Sequence, residues 1–374
     1  MMRLSELCRI EPRKRRRLHD VLMRLRRDGA RGMLGMAVRF GWRLLMRVVE
    51  RIRENSIVLL DAIEERRRQP DPIIRQEPGD DAALDSRSVA IFIQFSPDGR
   101  LTAMVQRQLE IYRDCGFATV LVSNSPAFPD DAWQEARQRA ALVVHRRNSG
   151  LDFGAWKDLL PVALARWPQM DELLLVNDSV LGPIRPLAPV LSAMREAGPG
   201  YFGLLESCQV VPHLQSWFTL ARGRKAIADL ADFLARLRLS RSKNKIIERG
   251  ELRLAHSMLS AGNRVAAVYG YDALVELALS DMEQRAYLER AASPWFEGAD
   301  DAAVRARFAA HPVNPSHTLW RVLAGPAECP FIKTELVRRN PTNLPEVGRW
   351  SELVPADAPC NAEVLKAHLA AMGP

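Results

Sequence analysis

Asp178 closes an apolar run, LLLV at 173–176, and is flanked by Asn177 and Ser179. A carboxylate at the end of a buried strand loses hydration and needs something positive to hold its charge. A divalent metal carrying a diphosphate would serve. So would Arg146 or Lys157, from the nearby stretch HRRNSGLDFGAWKD at 145–158. In that stretch Asn148-Ser149-Gly150 allows a tight turn, and Gly150 can take positive φ or let a ligand approach the backbone. Arg146, Arg147 and Lys157 supply cationic donors, and the first amides of the following helix attract anions. Together these groups suit a diphosphate. Asp152 reads as the cap of that helix or as a functional carboxylate, while Phe153 and Trp156 read as core.

Further along, VVPHLQSWF at 210–218 mixes hydrogen-bonding groups with aromatics, as sugar acceptor sites do. His213, Gln215 and Trp217 are the acceptor candidates, with core packing as the alternative for Trp217. Transfer to a hydroxyl needs a general base near the acceptor oxygen. Asp152, Glu206 and Glu251 are the candidates.

These residues need elements to hold them. Short apolar runs at 89–95, 118–122, 142–145, 172–176 and 200–205 read as strands. Helical periodicity fills 101–113, 131–139, 154–166, 226–237 and 246–260. Nearly continuous apolar strands alternating with helices predict an α/β fold, a mostly parallel sheet with helices on both faces. Ligands of such sheets bind outside the carboxyl ends of the strands. The Asn148–Asp152 and Asn177–Ser179 motifs follow the third and fourth strands, so both belong on that rim.

Five stretches, in order, carry a family likeness: NSGLDFGAWKDLL from Asn148, LLLVNDSVLGPI from Leu173, HLQSWF from His213, NPSHTLW from Asn314 and PFIKTELVRRNP from Pro330. They resemble the rhamnan synthesis protein F family over about 89–341. The resemblance implies a GT-A-like (Rossmann-type) bacterial glycosyltransferase that builds rhamnose-containing surface polysaccharide, O-antigen or capsule. Its donor would be a nucleotide sugar and its acceptor a lipid-linked glycan, handled at the cytoplasmic face of the inner membrane. Asp178, Asp152 and Glu251 would then be catalytic. Arg147, Asn148, Gly150, Lys157, Asn177 and Ser179 would hold the donor, with His317 and Lys333 closing over its phosphates. The resemblance also implies a metal-diphosphate role for Asp178, with Mg²⁺ or Mn²⁺ as the ion. GT-A enzymes usually present two acids as Asp-x-Asp, whereas this chain has Asn177-Asp178-Ser179. A non-catalytic glycan-binding or assembly protein that retains the fold is the alternative.

Composition and charge frame this reading. The 374 residues are 47% hydrophobic and 26% charged, ordinary for a globular protein. Five dispersed cysteines with no Cys-x-x-Cys pair argue against a disulfide framework or a structural zinc site. The net charge of +8 is concentrated: residues 1–60 hold 16 Lys and Arg against 6 Asp and Glu. Arg39, Arg43, Arg47 and Arg51, each four apart, keep to one side of a helix, with Leu34, Val38, Trp42, Leu45 and Val49 on other faces. Such a helix suits an anionic membrane surface, and its arginines oppose spanning. A helix packed on its own protein, with the arginines solvated, is the first alternative, and a nucleic-acid role for the basic run at 13–17 the lesser one. The expected organisation is a basic amphipathic arm at 1–60, an acidic, proline-containing linker at 61–87, a glycosyltransferase-like domain at 88–340, and a tail at 341–374 with a short helix.

Overall fold

The computed structural model describes Ser56, residues 71–80 and residues 83–373. The basic arm expected at 1–60 lies outside the described residues except for Ser56. The first part of the expected linker does so too. Apart from Ser56 and residues 240–242, the described residues belong to one compact unit.

Eleven strands are described: β1 Ile73–Pro78, β2 Ser88–Gln94, β3 Ala118–Ser123, β4 Leu142–Arg146, β5 Glu172–Asn177, β6 Val180–Leu181, β7 Gly200–Ser207, β8 His213–Leu214, β9 Phe218–Arg222, β10 Val265–Tyr269 and β11 Ile332–Lys333. Nine form one sheet in the order β1-β4-β3-β2-β5-β9-β7-β10, with β8 paired to β7. Strands β4, β3, β2 and β5 run parallel, as do β7 and β10, while β9 reverses between β5 and β7. This is the mostly parallel α/β sheet that the alternation predicts.

Side-chain alternation shows how the sheet is covered. Ala90, Phe92, Leu174, Val176 and Leu204 belong to one buried cluster, together with the helices Ala103–Asp114, Ala188–Glu196 and Tyr271–Ser280. Ile91, Leu173 and Leu175 alternate with them and are equally buried. They therefore face the other side, where the helices Leu151–Arg166, Arg224–Arg236 and Leu252–Ser260 pack on the sheet and on one another. Each face has its own helical layer, which is why the strands read as unbroken apolar runs.

The chain steps from β2 to β3 to β4 in one direction and then returns to place β5 on the far side of β2. That reversal puts the topological switch point between β2 and β5, where α/β sheets hold their ligands. Asn177 and Asp178 stand at its edge.

Three expectations change. Residues 73–78, within the expected linker, form β1, an antiparallel edge strand on β4. Its sequence, IIRQEP, lacks the apolar run of a central strand because an edge strand is held by its backbone ladder with half its side chains in water. The C-terminal segment is no loose tail: the helix Ala362–Ala371 packs on Ala103–Asp114, burying Leu365 and His368. The helix expected at 246–260 is broken. A short helix Lys243–Ile246 leads into a π-helical turn, Ile247–Glu251, before Leu252–Ser260 resumes α geometry.

Candidate functional site

The corner before the helix Leu151–Arg166 is built from two consecutive residues with positive φ, Gly150 at 72° and Leu151 at 53°. A leucine in that region is strained, and such strain persists only where the surroundings dictate it. Gly154 is one such constraint, since a Cβ there would sit 1.9 Å from the Ser149 carbonyl oxygen. The sharp entry makes Gly150 the helix cap and places Asp152 inside the first turn. Asp152 does not cap the helix, contrary to one of its two readings. Its Oδ2 instead accepts from Asn177 Nδ2 at 2.7 Å, joining the two rim motifs.

From there a hydrogen-bonded chain runs across the rim. Asn177 Oδ1 accepts from the Ser179 amide at 3.1 Å and from the Ser179 hydroxyl at 2.5 Å. Lys333 Nζ donates to Ser179 Oγ at 2.9 Å. Lys333 is delivered by the two-stranded antiparallel ladder in which β11 pairs with β6, Lys333 opposite Val180. Asp178 is held separately, its Oδ2 accepting from the Phe95 amide at 2.7 Å, just beyond the end of β2.

Glu251, at the end of the π-helical turn, accepts at Oε2 from the Ser216 amide at 2.9 Å and from Ser216 Oγ at 2.5 Å. His213 Nε2 lies 3.8 Å from Glu251 Oε1. The opposite ring nitrogen, Nδ1, is 2.7 Å from the Val211 carbonyl, a pure acceptor, so Nδ1 carries a proton.

Charge binds this arrangement together. Burial pushes the Asp178 carboxyl up to about 7, and the charge of Asp152 adds to the rise while the Phe95 amide opposes it. Burial likewise pushes Asp152 up to about 6, with Lys333 opposing and Glu251 reinforcing. Lys333 is held below the ordinary lysine value by burial, against the pull of Glu251 and Asp152. Two carboxylates and an ammonium, all desolvated and mutually coupled, mark a site where charge is arranged for use.

Not every candidate joins them. Arg146 is fully buried and structural: it donates to Asn124 Oδ1, the Ser149 carbonyl and Asp158 Oδ2. Arg147 is exposed and donates to the Asp71 carbonyl beside β1, away from the acids. Lys157 donates to the Leu237 carbonyl at 2.7 Å, closing the end of the helix Arg224–Arg236. Asn148 is exposed, and Gly150 faces Leu239 at packing distance. These four residues shape the corner and form no anion cradle there. Gln215 and Trp217 are buried, and both ends of the Gln215 amide are used, donating to Asn314 Oδ1 and accepting from Trp217 Nε1. That engagement makes them a wedge under Lys333, whose Nζ lies 5.9 Å above the Trp217 ring, and leaves no open acceptor surface. Glu206 is tied to the Tyr271 amide, outside the cluster.

His317 is buried beside the cluster, with Nε2 lacking a partner among the described residues. Its proton affinity is lowered, first by burial and then by Lys333 and Lys243, against Glu335. Three participants escape sequence reading: the Phe95 amide, Ser216, and Lys243, whose ammonium lies 3.8 Å from Glu335. Ser216 stands inside a recognisable motif. Lys243 hides in a basic run, and a backbone amide has no sequence signal. Among the described residues no group of three or more His, Cys, Asp and Glu side chains is placed to hold a metal ion.

An α/β sheet with coupled acids and a desolvated ammonium at its switch point defines a candidate ligand site at the carboxyl edge of its strands. The chain belongs to the rhamnan synthesis protein F family, whose sequence profile matches residues 119–282. It is 30% identical over 236 residues to "Virulence protein VirA" of Vibrio anguillarum, covering 61% of this chain and 73% of that protein. It is 27% identical over 207 residues to "Uncharacterized protein y4gN" of Sinorhizobium fredii, covering 54% of this chain and 53% of that one. The chain thus spans about half the length of the y4gN protein. Among solved structures, it shares 13% identity and a TM-score of 0.32 with a candidate nucleotide-diphospho-sugar transferase from Desulfovibrio desulfuricans G20, covering 59% of this chain and 98% of that one.

Proposed function

We propose that the chain is a glycosyltransferase that moves a sugar, rhamnose or another deoxyhexose, from a nucleoside diphosphate to a hydroxyl of a lipid-linked glycan in surface-polysaccharide synthesis. The observation that carries this reading is the coupled cluster of Asp178, Asp152 and Lys333 at the switch point, within a family named for rhamnan synthesis.

In the reaction the bond between the anomeric carbon and the diphosphate oxygen breaks, and its electron pair leaves with the diphosphate. The acceptor oxygen bonds to the anomeric carbon and gives up its proton. Lys333, fixed by Ser179, faces the charge that develops on the leaving group, and the buried setting strengthens that attraction. Glu251 takes the acceptor proton on Oε1, its Oε2 being fixed by Ser216, while Glu206 lies outside the cluster. His213, with Nδ1 tied to the Val211 carbonyl, places Nε2 3.8 Å from Glu251 Oε1.

The residues also fit a divalent cation. Asp152 and Asp178 offer hard oxygen donors from two different elements, and only one oxygen of each accepts a hydrogen bond from another residue. One or two carboxylates plus substrate phosphates are what Mg²⁺ takes as ligands. The ion, when bound, would neutralise diphosphate charge. A second acid supplied by Asp152 supports this reading over the non-catalytic one.

The direct test is a panel of nucleotide sugars, with and without Mg²⁺ or Mn²⁺, followed by release of nucleoside diphosphate. Asp178→Ala should lower turnover by about 10²–10³ while the melting transition remains cooperative, as loss of one preorganised electrostatic group does. Turnover at the wild-type rate in Asp178→Ala would remove Asp178 from the mechanism. The membrane reading rests on the charge and periodicity of residues 1–60, and no helix among the described residues is long and apolar enough to cross a membrane. The full chain should float with anionic vesicles and the chain lacking residues 1–60 should not. Flotation of both would discard the arm as anchor.

A further inference from the structure

Trp320 borders a cavity of about 450 Å³, walled by the helix Met282–Ala291, the short helix Trp320–Ala324 and the 3₁₀ segment Val347–Leu353. Its size falls in the ~300–1,000 Å³ range of small-molecule sites. Its lining is mostly charged side chains, and they come in equal numbers: Arg290, Arg321 and Arg349 against Glu283, Glu346 and Glu352.

The charges are interlocked. Arg321 pairs with both Glu346 and Glu283, and Arg290 donates to Glu346 at 2.6 Å. Arg349 makes a two-pronged contact with Glu352 at 2.8 and 2.7 Å. No guanidinium is left in surplus, so a phosphate or carboxylate ligand would have to displace a resident carboxylate. What the crevice does present is donors alternating with acceptors on a rigid surround. A sugar hydroxyl both donates and accepts, so neighbouring hydroxyls of a saccharide match that alternation.

The surround is built to hold the pattern. Asn340, Asn343 and Glu346 all take positive φ, at 38°, 52° and 63°. The Asn340 side chain clamps its loop by accepting from the Leu344 amide and donating to the Leu344 carbonyl, both at 2.8 Å. This conformation brings Glu346 between two arginines. Below, Arg321 stands 5.3 Å over the Tyr287 ring, and Trp320 Nε1 donates to Tyr287 Oη at 2.8 Å. The Arg321 Nε is buried and has no partner among the described residues. Trp320 also lines a small void with Lys333, Trp217 and Ser316, so this side chain borders both the crevice and the candidate active site.

From this geometry we propose that the crevice is a subsite for a neutral saccharide, distinct from the donor site. That the saccharide is the acceptor's own glycan chain rests on the transferase reading. The test uses the full chain and a neutral rhamnose tetrasaccharide, with an oligogalacturonate and inorganic pyrophosphate as anionic controls. Titration calorimetry should show the tetrasaccharide binding the wild-type protein. Affinity should fall at least tenfold in the double variant Arg349→Ala, Glu352→Ala and stay unchanged in Lys333→Met. The exposed Arg349–Glu352 pair contributes little to stability, so the double variant folds. Absence of tetrasaccharide binding by the wild type, binding unchanged in the double variant, or preference for either anion overturns the proposal. Saccharide binding that follows this pattern in a protein that turns over no nucleotide sugar upholds the subsite and withdraws only its assignment to an acceptor.

Discussion

Asp178 is placed at a cost. Its carboxyl is pushed up to about 7 by burial and by Asp152, far above the ordinary 3.8, so ionising it at neutral pH opposes folding. A carboxyl whose folded-state value is raised contributes stability that is complete below about pH 4. That contribution is lost as pH rises through about 7, because the folded protein there holds a proton that the unfolded chain has released. The sign gives a prediction that a merely structural aspartate would fail. Asp178→Asn keeps an oxygen for the Phe95 amide and removes the charge. At pH 8 it should be more stable than wild type by on the order of a few kcal/mol, and at pH 4 the advantage should vanish. Urea midpoints at the two pH values measure this, and equal differences at both would show that Asp178 carries no such penalty. The same substitution should abolish turnover, the usual price of a charge stored for catalysis. Lys333 obeys the converse rule: burial lowers its proton affinity, while Glu251 and Asp152 oppose the fall.

At the scale of elements, the candidate site is positioned by two departures from regular geometry. One is the left-handed entry at Gly150 and Leu151, and the other is the π-helical turn Ile247–Glu251. Single π turns recur at functional sites because they re-aim one side chain within a helix. Here Glu251 is re-aimed at Ser216. Gly250 allows it, since a Cβ at that position would lie 2.8 Å from the Phe153 ring, itself packed edge-on against Trp156. Gly250→Ala should therefore cost about 1–3 kcal/mol of stability, as overpacking does, and lower turnover beyond what unfolding explains. Gly348→Ala, with open space around its Cβ, is the control and should change neither. Thermal melts beside turnover at a temperature well below both transitions decide the point. Retained turnover in Gly250→Ala would mean that the π turn does not position a catalytic carboxylate. The sequence signals the helix at 246–260 but not its turn, because a π bulge arises from tertiary packing and leaves the apolar periodicity intact. The same limit applied to Arg147 and Lys157. Their types suit a diphosphate, yet their directions are set by β1 and by the end of a neighbouring helix.

For the whole molecule, the central strands and their covering helices are legible because burial on two faces leaves nearly pure Val, Ile and Leu runs. The polar edge strand β1, the reversed strand β9 and the helices across 271–310 escape that pattern, their partners being distant in sequence. The C-terminal helix shows what such long-range closure costs to maintain. His368, at 2% exposure, places Nδ1 2.7 Å from Thr102 Oγ1, a contact spanning 266 positions. The Thr102 oxygen also accepts from the Val105 amide at 3.4 Å, so one hydroxyl joins the helix cap to the imidazole. Burial, reinforced by Arg338, pushes this imidazole down to about 4. A base whose folded value is lowered contributes stability that is whole above about 6.5 and is lost as pH falls toward 4, because the unfolded chain takes up the proton first. The shift corresponds to about 3 kcal/mol across that window. His368→Leu removes the titrating group, so the stability difference between wild type and variant should shrink from pH 7 to pH 4.5 by about that amount. Urea unfolding at both values measures it. A difference that stays constant with pH would show that burial does not hold the imidazole neutral.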